Sequence, residues 1–521
     1  MDTMRVLGLL LMLAFLDCSS GARILAIVPI PGRSHFIVFS SLARELAARG
    51  HQVTVMSAFP QKTPIANYTD ISLADELGVL GSVNFFDFGS LNPVIMMLAM
   101  WGIGSTLCDT MLSQRVVRNL INSEKDQFDA VIVEAFFNEC FYAFAHKFKA
   151  PLIQYSVFGG NLAVDDSVGN PTPYSHVPDP MLNYGDHMTF CERLKNTLFS
   201  LYSAAGRYLY YIPKLDAITR KHFNDSTLPY LGDLEKSTAL LLVNNHVAVG
   251  FPRPLVPNYI NVGGLHIKPS KKLPEDLQKF IDGARDGVIY FSMGSNLRSS
   301  HFPEEKRKAL LETFASLKQK VLWKWEEDSL PGQPPNVRLG KWMPQADILA
   351  HKNVRLFITH GGLMSTQEAV YHGVPVIGIP VYGDQELNMV RAEAAGFGIQ
   401  ISYSNLSKEA ISWAIQEIIS QPRYKENAKR LSSIFRDNPQ SPMDTAVYWT
   451  EYVIRHKGAP HLRSAALDLS WYQYHLLDVL AVLLGAVVLV LLVTAFVLRA
   501  LYRKLFHKTK SSPKNKSKKR D

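Results

Sequence analysis

Residues 342–385, WMPQADILAHKNVRLFITHGGLMSTQEAVYHGVPVIGIPVYGDQ, hold most of the side chains here that can do chemistry in combination. Residues 354–359 are an apolar run of strand length, His360-Gly361-Gly362 a tight turn, and 365–371 a helix that Ser365 or Thr366 can cap. A helix that opens straight after a strand and two glycines offers unpaired N–H groups and a positive dipole end, which is a place to hold a phosphate. Trp342 before it can stack on a base. Glu368, one turn into the helix, can hold ribose hydroxyls. Asp384 and Gln385 follow the next apolar run, 376–379, and can hold a sugar. A second glycine turn, Gly294-Ser295, follows an apolar run at 287–293 and can reach a pyrophosphate from the other side. These are the contacts of a nucleotide-sugar site.

An acid–base pair lies far from that stretch. His35 stands at a helix start, after an apolar run at 23–28 and the turn 29–34. A neutral imidazole there can act as a base; a helix-capping or surface histidine fits the same position. The run DAVIVE at 129–134 ends in Glu134, and strand ends of parallel sheets face the ligand crevice. Glu134 can orient His35 and stabilise its imidazolium form, with Glu139 as the alternative partner.

The elements that must position these groups repeat a strand–turn–helix plan in both halves. Strand 23–28, helix 35–49 with Phe36, Phe39, Leu42 and Leu46 on one face, Gly50, and strand 52–56 make a βαβ opening to a doubly wound domain. No GxGxxG follows the first strand, so the dinucleotide fingerprint is absent. Further strands are predicted at 83–88, 153–156, 240–244, 321–325 and 399–401, with helices at 303–318, 385–395 and 408–419. Residues 92–110 are Met-rich and apolar and fit either a pocket wall or a core helix. The aromatic, basic stretch 192–215 fits either a membrane-surface or acceptor-channel segment or a packed helix. The Pro/Asp/Asn-rich residues up to 187 read as a lid or acceptor-side loop, and prolines at 251–257 and 269–274 bracket the boundary between the halves.

The 521 residues carry a formal charge of +9, which would suggest nucleic acid if it were spread over a surface. It is not: residues 499–521 hold ten Lys/Arg and one Asp, leaving 45 basic against 45 acidic residues elsewhere. Residues 1–22, with Arg5, an apolar core and small residues before Arg23, read as a cleaved secretory signal. Residues 479–498 contain no charge and are long enough to span a bilayer, with Trp471, Tyr472 and Tyr474 before them and the basic tail after them. That order predicts a single-pass protein whose tail is cytosolic and whose bulk is lumenal. The final KKRD resembles a dilysine retrieval signal of the endoplasmic reticulum. Cys108, Cys140 and Cys191 allow one disulfide or none, no Cys/His spacing makes a zinc site, and sequons stand at Asn67, Asn224 and Asn405.

Trp342, Gln345, His360-Gly361-Gly362, Ser365, Glu368, Gly373-Val374-Pro375 and Asp384-Gln385, in this order and spacing, resemble the signature of the UDP-glycosyltransferases. The resemblance runs from Arg23 to the C-terminus, and the wording HGGLMSTQEA is similar to the invertebrate, insect-type branch. It implies an α/β fold of GT-B type: two facing Rossmann-like domains with one C-terminal transmembrane helix. The domains would be a signal peptide (1–22), an acceptor domain (23–250), a linker (251–284) and a UDP-sugar domain (285–456) whose last part, 420–456, crosses back. A juxtamembrane segment (457–475), the span (476–498) and a cytosolic tail (499–521) complete the chain. The resemblance places Trp342 and Gln345 near uracil and Glu368 on the ribose. It places His360, Ser365 and the Gly294-Ser295 turn near the phosphates, Asp384 and Gln385 on the sugar, and His35 as base.

The activity implied is inverting, metal-independent transfer of a hexose from a UDP-sugar to a hydroxyl of a small lipophilic acceptor. The insect-type wording favours glucose; UDP-glucuronate is the alternative donor, and a non-catalytic UDP-sugar-binding membrane subunit the alternative role. No cofactor and no nucleic acid is expected, and a homo- or hetero-oligomer is compatible with the resemblance. Two positions depart from vertebrate members: Met364 stands where Asn is usual, and Glu134 where Asp is usual.

Overall fold

The computed structural model describes residues 21–74, 85–124 and 127–507. The expected signal peptide, apart from its last two residues, and the KKRD tail lie outside the described residues. Residues up to Arg463 make one compact unit and Ser464 onward a second.

The first unit contains two all-parallel sheets. In the first, β1 (Arg23–Val28), β2 (Gln52–Ser57), β3 (Tyr68–Ser72), β4 (Ala130–Glu134), β5 (Leu152–Ser156), β6 (Thr238–Val243) and β7 (Tyr259–Asn261) lie in the order β3-β2-β1-β4-β5-β6-β7. In the second, β8 (Val288–Ser292), β9 (Lys320–Lys324), β10 (Val337–Gly340), β11 (Val354–Thr359), β12 (Val376–Gly378) and β13 (Gly398–Gln400) lie in the order β10-β9-β8-β11-β12-β13. Strands buried on both faces read as near-continuous apolar runs, and the side-chain period of two sorts them. Ile24, Ala26 and Val28 pack in one core with Ile132 and Ile153, while Leu25 and Ile27 pack in another with Val131 and Val133. Ile289 and Phe291 are divided in the same way from Val288 and Tyr290. These are the two Rossmann-like domains of a GT-B fold.

Helix α1 (Arg33–Ala48) buries Phe36, Phe39, Leu42 and Leu46 on the first sheet, and Gly50 follows it at φ +97°. α2 (Pro93–Ser113) is both pocket wall and core: Met97, Trp101 and Met111 enter the first core, while Met96, Met100 and Ile103 line a cavity. The stretch 192–215 is α3 (Phe190–Gly206), a π-helical turn (Arg207–Tyr211) and the start of α4 (Ile212–Phe223). Of the strand expected from 83 to 88, residues 83 and 84 lie outside the described residues, and 85–90 are a 3₁₀ turn. Phe86 there packs on Phe302 and Tyr403 of the second half, at 5.2 and 5.4 Å between ring centroids, a pull that a local pattern does not register. Strand β7 comes from within the stretch expected as linker.

α5 (Leu363–Tyr371) and α6 (Gln385–Ala394) flank the second sheet, and α7 (Pro422–Arg436) packs on α5. α8 (Pro442–Arg455) packs on α1 and β6, adding Ala446, Val447 and Val453 to the core of the first half. Inside the contact between the halves, the buried Gln367 side chain accepts from the Gly264 N–H (3.2 Å) and donates to the Asn244 carbonyl (3.2 Å). In the second unit, α9 (Leu477–Phe506) is a 30-residue apolar helix, a candidate membrane span.

Candidate functional site

In a doubly wound sheet the ligand crevice opens where adjacent strands send their connections in opposite directions. In the first sheet that point lies between β1 and β4, and in the second between β8 and β11. The candidate residues issue from these four strand ends. His35 follows β1 and Glu134 ends β4; Gly294-Ser295 follows β8 and His360-Gly361-Gly362 follows β11. Ser292 and Thr359 are register partners, so the two glycine turns leave the sheet side by side.

His35 sits in the first turn of α1, nearly buried, and its Nδ1 bonds Oε1 of the fully buried Glu134. With Nδ1–H donated to the carboxylate, Nε2 carries the lone pair. The rings of Phe136 and Phe158 meet the imidazole edge-on at 5.1 and 5.2 Å and exclude water around it. Glu139 is not the partner. It accepts from Arg207 at 2.6 Å, and Arg207 also bonds Glu235, so Glu139 is consumed in a buried structural triad.

Across the cleft, His360 fills the space between two glycines. A Cβ on Gly294 would come within 2.5 Å of the imidazole Cε1, and one on Gly362 within 2.3 Å of Nε2. Gly294 and Gly361 also hold φ near +80°, a region other residues rarely adopt. Burial, with the Lys324 charge nearby, lowers the His360 pKa to about 4, so its ring is neutral at pH 7. α5 starts at Leu363 with Gly362 at the N-cap and no side-chain cap. The capping expected from Ser365 or Thr366 does not occur, because both lie within the helix. Thr366 donates to the Gly362 carbonyl (3.1 Å) and Ser365 Oγ accepts from Gln345 (3.1 Å). Among the described residues, no side chain caps the start of α5.

Gln345 also donates to Glu368 at 2.7 Å, so Gln345, Ser365 and Glu368 form one polar cluster. Gln385 is partly committed: its Oε1 accepts from the backbone N–H groups of Val381 (2.9 Å) and Tyr382 (3.3 Å), leaving its NH₂ to face a ligand. Asp384 accepts from Asn388 (2.7 Å); burial raises its pKa. Trp342 stands at the mouth, 60 % exposed, with the Arg33 guanidinium 5.0 Å from its ring centroid.

A cavity of about 510 Å³ joins these groups. Of the expected site residues, His35, Gly294, Ser295, Trp342, Gln345, His360, Gly362, Ser365, Glu368, Asp384 and Gln385 line it. Glu134 lies behind His35, and Gly361 is a turn residue packed on Met389. Met96, Met100, Ile103, Phe136, Phe137 and Phe158 make its other wall apolar. The sequence reading missed Lys324, the one Lys or Arg among the described lining residues, which pairs with Glu326 at 2.7 Å. A lysine ending an apolar strand looks like an exposed strand end; its only flag was its place after VLW, beside the glycine turns. Met364 lines the cavity and packs against the core of the first half. Among the described residues no group of three or more His, Cys, Asp or Glu gathers as a metal site.

The family profile described as UDP-glucoronosyl and UDP-glucosyl transferase matches residues 88–512. UDP-glycosyltransferase UGT5 of Dactylopius coccus is 41% identical over 486 residues, covering 92% of this chain and 92% of that protein. UDP-glucosyltransferase 2 of the same insect is 39% identical, covering 98% and 99%. UDP-glucuronosyltransferase 2A3 of Mus musculus is 35% identical, covering 93% and 94%. Among solved structures, the glycosyltransferase VinC in complex with DTDP superposes with a TM-score of 0.59 at 15% identity, over 83% of this chain and 100% of that one. That likeness concerns the fold alone.

Proposed function

This chain belongs to the UDP-glucoronosyl and UDP-glucosyl transferase family and is a UDP-glycosyltransferase, and we propose that it moves glucose from UDP-glucose to a hydroxyl of a small lipophilic acceptor with inversion at C1. The observation that carries this reading is the buried His35–Glu134 pair, set between an apolar wall and the polar groups at Asp384 and Gln385. Trp342 and Gln345 take the uracil end and Glu368 the ribose. His360, Ser365, the Gly294-Ser295 turn and the uncapped start of α5 take the diphosphate, and Asp384 and Gln385 the sugar.

In this reading His35 Nε2 removes the acceptor hydroxyl proton as the oxygen attacks C1 of the α-linked sugar from the face opposite UDP. The C1–O bond to the β-phosphate breaks, giving a β-glycoside and UDP. Glu134 stabilises the imidazolium that forms. Charge growing on the β-phosphate falls to the α5 N–H groups and to Lys324, so the transfer step needs no metal. A hexuronate donor would need a cation for its carboxylate. Lys324, the one Lys or Arg among the described lining residues, is assigned here to the diphosphate, which favours the neutral hexose.

Membrane anchoring by α9, with the two Rossmann-like domains in the lumen of the endoplasmic reticulum, completes the proposal. It is supported by the Cys108–Cys140 disulfide, which suits an oxidising compartment, and by the exposure of all three sequon asparagines. The test is transfer from radiolabelled UDP-glucose and UDP-glucuronate to a panel of phenols and lipophilic alcohols. His35→Ala should abolish turnover and leave UDP affinity unchanged. Turnover surviving that substitution would refute the assignment of the base, and faster transfer from UDP-glucuronate that of the donor.

A further inference from the structure

The connection between the halves reaches the donor groups of α5. After β7 the chain packs in the first core at Val262 and Leu265 and on the second at Ile267. Gly264, between them, holds φ +86° and lies so close to Phe435 of α7 that a Cβ would fall 2.7 Å from its ring. Its N–H donates to the side chain of Gln367 on α5 (3.2 Å). The path of this segment is therefore fixed on both sides of His266.

His266 meets the next residue of α5. Its side chain is 2% exposed, and Nε2 lies 3.5 Å from Glu368 Oε1. Neither ring nitrogen has a hydrogen-bond partner among the described residues. Unsatisfied nitrogens in the interior carry a cost that packing does not explain, since a leucine would fill the space without it. The separation from Glu368 exceeds a normal N–H···O bond by about half an ångström, so a small rotation of either side chain closes it. Gln345 meets Glu368 from the other side, donating to Oε2 at 2.7 Å.

We propose that His266 is a positioning residue for ribose recognition. It donates to Glu368 Oε1 while Gln345 donates to Oε2, and together they turn the carboxylate so that both oxygens face the 2′ and 3′ hydroxyls of the donor. The inference rests on the assignment of Glu368 to the ribose. A carboxylate has about four acceptor sites. His266 and Gln345 take one on each oxygen, and one on each remains for a hydroxyl. Without His266 the carboxylate turns about its terminal bond, a soft torsion, and offers one well-placed oxygen in place of two. Ribose recognition is thus completed by the segment that joins the halves, not by the second half alone.

The test is the calorimetric affinity of the full chain for UDP and for 2′-deoxy-UDP. Wild type should prefer UDP by about tenfold or more, the order of a hydrogen bond to a charged group. Glu368→Ala should abolish that preference. His266→Leu should cut it to about threefold or less by weakening UDP alone, and 2′-deoxy-UDP binding at the wild-type level shows that the variant is folded. His266→Gln, whose amide can donate to the same oxygen, should recover most of the preference. In the Glu368→Ala background, His266→Leu should have no further effect. A wild-type preference in His266→Leu, equal weakening of both ligands, or a further loss in the Glu368→Ala background would overturn the proposal and leave Glu368 on the ribose. Wild type without a preference, or a preference that survives Glu368→Ala, would remove the ribose assignment itself and the proposal with it.

Discussion

Replacing Glu134 by Gln removes a charge and little else. The carboxylate is fully buried, its Oε1 bonds His35 Nδ1, and it does not line the cavity. Glutamine can still accept the Nδ1–H bond, so the ring keeps its place in the resting enzyme. The loss comes when the imidazolium forms, because a buried cation then has no anion beside it. Breaking one side of a buried ion pair costs about 3–5 kcal/mol. At about 1.4 kcal/mol per decade of rate, that predicts a fall in kcat of roughly 10² to 10⁴. Donor affinity should not change, because none of the groups assigned to UDP is altered. The assay is initial-rate transfer from radiolabelled UDP-glucose, with UDP affinity measured by calorimetry on the same preparation. Glu134→Asp should recover part of the rate, and Glu139→Gln should cost stability instead, since Glu139 is tied to Arg207. Turnover of Glu134→Gln within about threefold of wild type would refute the reasoning. A parallel loss of UDP affinity would refute it as well, by showing that the glutamate acts through the fold.

Three further outcomes are expected. Lys324→Gln should weaken UDP by about tenfold or more, the order of a lost charge-assisted hydrogen bond, while leaving uridine unchanged, with Lys324→Arg recovering part of the difference; equal losses for both ligands would rule out a phosphate contact. Arg207→Met leaves Glu139 and Glu235 buried without their cation, and should destabilise the fold by about 3–5 kcal/mol, read as a lower thermal midpoint; an unchanged midpoint would show the triad to be dispensable. Burial lowers the pKa of His360 and of His372 to about 4. The unfolded chain therefore binds more protons than the folded one between about pH 6.5 and 4, so the stability these neutral rings contribute is complete above that window and is lost as pH falls through it. Thermal midpoints from pH 7 to 4 should decline, and His372→Asn should flatten the decline; an identical slope in the variant would remove His372 from the account.

The central strands and the donor turns were legible because one physical rule governs each. A strand covered on both faces must be a largely apolar run, as VRLFIT and GVIYFSM are, and the two glycine turns press Gly294 and Gly362 against the His360 imidazole, so neither position can carry a Cβ. The edges were not legible. Tyr68–Ser72, Tyr259–Asn261 and Val337–Gly340 are edge strands, short and only partly covered, so no continuous apolar run marks them. His35 and Glu134 were each visible as a strand-end residue, but the choice of Glu134 over Glu139 depended on Arg207, far along the chain in a π-turn that local periodicity does not predict. Lys324 appears only when separate strand ends are brought together, whereas the second task of Gln385, holding the backbone of Val381 and Tyr382 four and three residues before it, is a turn contact that no periodicity marks.

The Cys108–Cys140 bridge has a practical consequence. Cys108 lies on α2, next to the cavity-lining Leu107, and Cys140 lies in the 3₁₀ turn that follows the β4 strand end bearing Glu134. The bond thus fixes the apolar wall of the cavity to the element that follows Glu134, the proposed partner of the base, and leaves the second half untouched. Protein made in a reducing cytosol would be expected to bind UDP normally yet handle acceptors poorly. A preparation judged sound by nucleotide binding alone could then be misread as an enzyme whose acceptor had not been found.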